Sequence, residues 1–139
     1  MKSIVKKSQA SVEYIVLVGF ITIVLIGILG IALFYSGSAR DRIKIYQVSN
    51  FANKILSSAE TVFYAGEPSK STISVYLPNE VTDIQILENS ILIEIQTNSG
   101  RNKMSFTSKV PLSGTLTSRG GMKKIEIISR ENSAEINQI

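Results

Sequence analysis

The sequence predicts an α+β fold in which one long N-terminal helix packs against a small antiparallel β-sheet domain. Two observations support this prediction. An uncharged apolar run over residues 14–35 is followed by apolar residues at helical spacing up to residue 64. From residue 72 onward the period of the apolar residues changes to two, which is typical of strands. With 139 residues, the chain has room for one ordinary domain at most.

The apolar run is long enough to cross a membrane. It holds 22 residues from Tyr14 to Tyr35 without a charge, which as a helix spans roughly 33 Å at about 1.5 Å per residue. Gly19, Gly27 and Gly30 interrupt its bulky side chains. Small residues let helices approach closely in an apolar setting, but glycine is also common in membrane helices for no special reason. The sequence leaves both interpretations of the glycines open.

The helix is predicted to continue as an amphipathic segment beyond the membrane. Apolar residues recur near helical spacing at Ile43, Tyr46, Phe51, Ile55, Ala59 and Val62. Gly66 and Pro68 follow and are strong breakers. We therefore predict one helix over residues 9–65, with its transmembrane part at about 14–35.

Residues 66–139 are predicted to form a small β-rich extracellular domain of five to seven short antiparallel strands. Candidate strands lie around residues 73–77, 84–86, 91–95, 103–110, 116 and 123–129, with turns between them. Their one-sided apolar pattern requires a cover, and the amphipathic part of the helix presents a matching apolar stripe.

Composition excludes several classes of function. The chain has no Cys and no His, which excludes disulfides, thiolate chemistry and the usual zinc and haem sites. No catalytic or phosphate-binding motif occurs, so we predict no enzymatic activity and no cofactor. Without Lys2, Lys6 and Lys7, the chain has 12 basic and 11 acidic residues and is nearly neutral. Binding of nucleic acid is therefore not expected. The run from Arg119 to Lys124 is interpreted as a charged hairpin turn.

Three explanations compete for the basic start of the chain. A secretory signal would be cut near Gly37-Ser38-Ala39 and would leave Arg40 as the first residue, but the apolar run is too long for it. A plain membrane anchor accounts for the length and the lysines, yet it does not require Glu13 just before the apolar core. The third explanation is a leader that is removed ahead of the helix.

The residues at this junction resemble a known family. The stretch Lys6-Lys7-Ser8-Gln9-Ala10-Ser11-Val12-Glu13-Tyr14, followed by the apolar helix, resembles the class III leader of archaeal type IV pilins and archaellins. The resemblance implies that residues 1–8 form a prepilin-type leader, which a membrane aspartic peptidase removes between Ser8 and Gln9. Ser8 stands where the family pattern usually has glycine.

Two roles remain open for Glu13. If the cut takes place, the resemblance implies that Glu13 becomes the fifth mature residue and neutralises the new ammonium of Gln9, its own or that of a neighbouring subunit. Alternatively, Glu13 merely favours the N-terminal end of the helix dipole. Lys2, Lys6 and Lys7 fit retention of the leader on the cytoplasmic side. The cluster from Arg40 to Lys44 is either a solvated helix face or a contact to lipid head groups or to a neighbour.

The resemblance implies a pilin-like fold and a structural role. The chain is expected to be a single-pass membrane precursor that becomes a subunit of a surface filament, with adhesion as a property of its exposed β surface. Implied partners are the prepilin-type peptidase, other pilin subunits, an assembly ATPase, a membrane platform protein and membrane lipid. The alternative is a membrane-anchored interaction protein that enters no filament.

Overall fold

A computed structural model describes the backbone of residues 2–139 and the side chains of residues 12–139. Helix α1 spans Lys2–Ala65, and seven strands follow it. The strands are β1 Lys70–Leu77, β2 Val81–Leu87, β3 Ser90–Thr97, β4 Gly100–Thr107, β5 Leu112–Thr115, β6 Gly121–Arg130 and β7 Ser133–Gln138. The chain divides into two units, Met1–Ala39 and Arg40–Ile139.

Helix α1 ends where the sequence predicts and begins earlier. Its last residue is Ala65, after which Gly66 takes a φ of 74° and its N–H donates to the carbonyl oxygen of Phe63 at 3.1 Å. A left-handed glycine of this kind is a common helix terminator. The helix begins at Lys2 instead of Gln9, because no glycine or proline occurs between them to stop the helical backbone.

The strands form two sheets. The first has the order β1-β6-β7-β5 and the second the order β2-β3-β4. The predicted α+β class, with a long helix packed on a small β domain, is confirmed. One pairing corrects the antiparallel prediction, since β5 and β7 are parallel. The chain reaches the open edge of β7 at Pro111, whose carbonyl accepts from the N–H of Ala134, so both strands start at the same end.

The core lies between the amphipathic part of α1 and the two sheets. Seven apolar residues of the helix are buried at helical spacing, namely Val48, Phe51, Ala52, Ile55, Leu56, Ala59 and Val62. They pack with the inward residues of the strands, which alternate with exposed ones as in Ile91, Ile93 and Ile95 of β3. Lys54 also ties the helix to β1, because its Nζ donates to the carbonyl oxygen of Ser74 at 3.0 Å.

Gly114 lies so close to the backbone of β7 that a side chain there should destabilise the domain. Gly100 and Gly114 both have left-handed φ values, 120° and 115°. A Cβ at Gly100 would meet open space, whereas one at Gly114 would overlap the backbone of Ile136 in β7. Gly100→Ala introduces only backbone strain and should lower the free energy of unfolding by about 1–2 kcal/mol. Gly114→Ala adds the overlap with β7 and should lower it by about 3 kcal/mol or more. Urea unfolding of the detergent-solubilised chain measures both, and equal losses would contradict the close contact.

Candidate functional site

The apolar segment of α1 is exposed along its described length. Every large apolar side chain from Val12 to Tyr35 exposes a large fraction of its surface, from 42% at Val18 to 81% at Phe34. The most apolar window of the helix has no buried residue. Soluble proteins rarely leave such a large contiguous apolar surface uncovered. This helix is long and apolar enough to span a membrane.

Aromatic residues mark both ends of the apolar segment. Tyr14 stands near its start, while Phe34 and Tyr35 form an edge-to-face pair at its end with ring centroids 5.9 Å apart. Tyr14 and Phe34 are 20 residues apart, which corresponds to about 30 Å of helix. That length equals the hydrocarbon thickness of a typical bilayer. Tyrosine and tryptophan prefer the two interfaces of a membrane, so Tyr14 and Tyr35 at the two ends of the segment fit a spanning helix.

The glycines of the segment share one face of the helix. At about 100° per residue, Gly19, Gly27 and Gly30 fall within an arc of about 80°. A Cβ added at any of the three would meet no atom within 4 Å. The described part of the chain therefore gives no packing reason for glycine at these positions. A face without Cβ atoms allows another helix to approach closely in an apolar setting.

The predicted cleavage junction lies inside the helical backbone. Ser8 and Gln9 belong to α1, as do Lys2, Lys6 and Lys7. The side chains of these five residues lie outside the described residues, so their predicted roles stay predictions. Glu13 is exposed and follows Gln9 by four residues, or about 6 Å along the helix axis. A nitrogen freed at Gln9 would thus stand one helical turn from the carboxylate of Glu13.

The position of Glu13 within α1 bears on its two possible roles. The helix begins at Lys2, three turns before Glu13. The dipole effect falls off within the first turn of a helix. The dipole therefore gives Glu13 little stabilisation in a helix that begins at Lys2. Among residues 12–139, no cation lies within 4 Å of the Glu13 carboxylate.

In the basic cluster from Arg40 to Lys44, some charged residues contact the β domain and others are exposed. Asp41 is buried, and its two carboxylate oxygens accept from the N–H of Asn98 at 3.1 and 3.2 Å. The ammonium of Lys44 lies 3.0 Å from the carboxylate of Glu80. This hydrogen bond holds the pKa of Glu80 below its ordinary value. Two exposed charges, Arg40 and Arg42, have no carboxylate within 4 Å among the described residues.

A buried lysine lies in the run that the sequence suggested to be a hairpin turn. This run instead belongs to the connection from β5 to β6 and to the start of β6, two strands that are not neighbours. Lys123 is only 5% exposed, and its Nζ donates to Thr117 Oγ1 at 2.8 Å and to Gln138 Oε1 at 3.0 Å. Burial, together with the positive charge of Arg119, lowers the pKa of Lys123. No sequence pattern marked this residue.

Replacing Lys123 by methionine should stabilise the domain. The substitution removes a buried charge, and Thr117 and Gln138 remain hydrogen-bonded to each other at 2.9 Å. We expect the free energy of unfolding at neutral pH to rise by about 1 kcal/mol. In the wild type, the unfolded state binds more protons between the lowered folded pKa and the ordinary value of 10.5, so stability rises with pH there.

This alkaline rise in stability should be absent from Lys123→Met. The exposed neighbour Lys124 offers a matched control, since Lys124→Met should keep both the stability and the pH profile of the wild type. Urea unfolding from pH 7 to pH 10.5 measures the effect. A Lys123→Met chain with an unchanged alkaline slope would contradict the assignment of the slope to Lys123.

Comparisons with protein-family models, curated proteins and solved structures find no match to this chain. The architecture, a long N-terminal apolar helix followed by a small β domain, fits that of pilin-like proteins. Assignment to a family therefore depends on this architecture and on the junction residues Ser8, Gln9 and Glu13.

Proposed function

We propose that the chain is a pilin-like structural subunit of an archaeal type IV pilus-type surface filament. The observation that carries the proposal is the uncovered apolar segment of α1 with its glycines on one face. Such a helix requires an apolar environment, which is lipid in the precursor and neighbouring helices in a filament. The resemblance of the residues around Ser8 and Gln9 to a class III leader links these two states through cleavage.

In the precursor, the apolar helix holds the chain in the membrane. The leader with Lys2, Lys6 and Lys7 stays on the cytoplasmic side, and the β domain lies outside the cell. A prepilin-type aspartic peptidase then cuts between Ser8 and Gln9. The helix remains attached to the β domain after this cut, so the mature subunit keeps its apolar segment.

In the filament, the apolar helices of many subunits pack together in a core. Lipid tails are as apolar as the helix, so this transfer gains packing rather than large hydrophobic energy. Leaving the membrane therefore needs external work, for which the resemblance implies an assembly ATPase and a membrane platform protein. Glu13 meets the ammonium of Gln9 and offsets the cost of burying both charges. The β domain forms the outer surface and carries any adhesion.

Electron microscopy and mass spectrometry test the proposal together. Cells lacking the gene should lose one class of surface filament, and filaments purified from wild-type cells should contain this chain as a stoichiometric component. Complementation with the wild-type gene controls for indirect effects of the deletion. Absence of the chain from every filament of the wild type would overturn the proposal.

The second candidate is a membrane-anchored interaction protein that uses the same helix but enters no filament. The observation that favours it is that lipid alone can cover the apolar side chains of one spanning helix. Under this alternative the glycine face has no partner, and bulky residues there should be harmless. The two candidates therefore differ in the effect of a bulky substitution at Gly30.

A further inference from the structure

The unit Arg40–Ile139 has two ends defined by its loops. At the Arg40 end, Asp41 binds the β3–β4 turn at Asn98, and Lys44 binds Glu80 beside the start of β2. The connection before β6 lies at the same end, because Gly121 pairs with the last residue of β1. At the Ala65 end lie the end of α1, the β2–β3 turn, the β4–β5 connection and the β6–β7 turn.

Uncompensated charge at the Arg40 end is basic. Three exposed arginines, Arg40, Arg42 and Arg119, have no carboxylate within 4 Å in the described part of the chain. Two acids lie at this end: Lys44 neutralises Glu80, and Asp41 keeps its charge while it accepts from a backbone N–H. The three arginines outnumber Asp41, so this end carries a net positive charge that is exposed to solvent.

Uncompensated charge at the Ala65 end is acidic. Three exposed glutamates, Glu67, Glu88 and Glu131, have no cation within 4 Å in the same described region. Nearby cations have closer carboxylate partners, and Arg130 also interacts with Glu67 at longer range. Lys70 pairs with Glu126 at 3.4 Å, Lys109 with Glu60 at 3.8 Å and Arg130 with Glu135 at 2.6 Å.

We propose that the Arg40 end of one copy contacts the Ala65 end of a second copy, head to tail. The inference rests on the proposed function and deepens it by naming the polar contact between subunits. Three unpaired cations and three unpaired anions at opposite ends of one domain match each other when copies stack. A contact between two different patches of the same protein builds an open filament whenever the rotation between copies does not close a ring.

The energetic role of this contact is to set order and register. Exposed ion pairs contribute about 0–1 kcal/mol each, so three of them do not hold a filament together. Packing of the apolar helices supplies most of the association, and complementary charge selects the correct axial arrangement. An anionic lipid surface would account for Arg40 and Arg42 but would leave the three glutamates without a function.

Charge reversal with mixing tests the proposal. The first full-length variant carries Arg40→Glu, Arg42→Glu and Arg119→Glu, and the second carries Glu67→Lys, Glu88→Lys and Glu131→Lys. Each variant alone has like charges at both ends, so filament yield should fall about tenfold, as expected for a loss of roughly 1.4 kcal/mol. Co-expression of the two variants should restore the yield, because opposite ends then alternate along the filament.

Controls separate this proposal from the proposed function. Lys124→Glu reverses an exposed charge within a strand and should leave the yield unchanged. Full yield from each reversed variant alone would overturn the head-to-tail contact while the filament role stands. A loss of filament yield only in the arginine variant, without rescue on mixing, would also overturn the contact. It would indicate that the arginines bind an anionic lipid surface.

A second measurement covers the case in which the wild type forms no filament, which would sink the proposed function itself. The chain has no native cysteine, so detergent-solubilised Arg42→Cys chains, which are free to shift along each other, can be mixed under a mild thiol oxidant with chains carrying Glu67→Cys, Glu88→Cys or Glu131→Cys. Disulfide-linked dimers should form in at least one of these mixtures, since a disulfide needs Cα atoms within about 7 Å. Their amount should be at least about tenfold larger than in the control mixture of Arg42→Cys with Asn50→Cys chains. No dimers in any mixture would overturn the contact.

Discussion

Chains carrying Glu13→Gln should insert into the membrane and lose their leader, yet assemble few or no filaments. In the proposed filament subunit, cleavage before Gln9 creates an ammonium one helical turn from Glu13, and packing of the helices buries this charge. Removing one partner of a buried ion pair costs roughly 3–5 kcal/mol, because the other charge stays buried and uncompensated. Such a loss lowers an association constant by roughly 100-fold or more. Filament mass per cell, measured by immunoblot of sheared filaments, checks the prediction.

A carboxylate elsewhere in the chain provides the matched control for Glu13. Glu126 forms a long ion pair with Lys70 at 3.4 Å, and exposed pairs of this kind contribute little to stability. Glu126→Gln should therefore assemble like the wild type. Normal filament mass from Glu13→Gln would contradict the pairing with the ammonium and would leave Glu13 only its dipole role at the new helix start.

Leucine in place of Gly30 should block assembly while membrane insertion stays normal. Gly30 lies within the glycine face of α1, where a bulky side chain would keep a neighbouring helix at a distance. Ala32 lies about 180° from the middle of that face, at about 100° per residue. Ala32→Leu adds a similar side chain to the opposite side and should have a much smaller effect.

The comparison of the two leucine variants distinguishes a subunit from a simple anchor. We expect Gly30→Leu to reduce filament mass at least about tenfold, which corresponds to roughly 1.4 kcal/mol. Alkaline extraction of membranes should retain both variants, because leucine favours a membrane helix. Equal filament mass from Gly30→Leu and Ala32→Leu would contradict close packing on the glycine face.

Much of the fold was predictable because its apolar pattern is local. The end of α1 at Ala65 follows from Gly66 and Pro68, and β1 and β3 follow from strict alternation of apolar residues. Strand β7 was not predicted, since Ala134 and Ile136 are its only buried residues and polar residues surround them. The parallel pairing of β5 with β7 depends on which sheet edge the chain meets, and no local pattern contains that information.

The candidate site was predictable where it depends on neighbours in the sequence. The apolar run, its glycines and the spacing from Gln9 to Glu13 are all visible in the primary structure. The roles of Asp41 and Lys123 were not, because each depends on a partner far along the chain, Asn98 for Asp41 and Gln138 for Lys123. For the same reason the two charged ends of the domain emerge only after folding.

The N-terminus of the mature chain, determined by mass spectrometry on the protein isolated from whole cells and their medium, tests the central claim most directly. If the chain is a processed filament subunit, its first residue is Gln9 and the apolar helix remains attached. A first residue of Met1 would instead describe an uncut membrane anchor. A first residue of Arg40 would describe a secreted domain without its helix, and either of these two results would contradict the account.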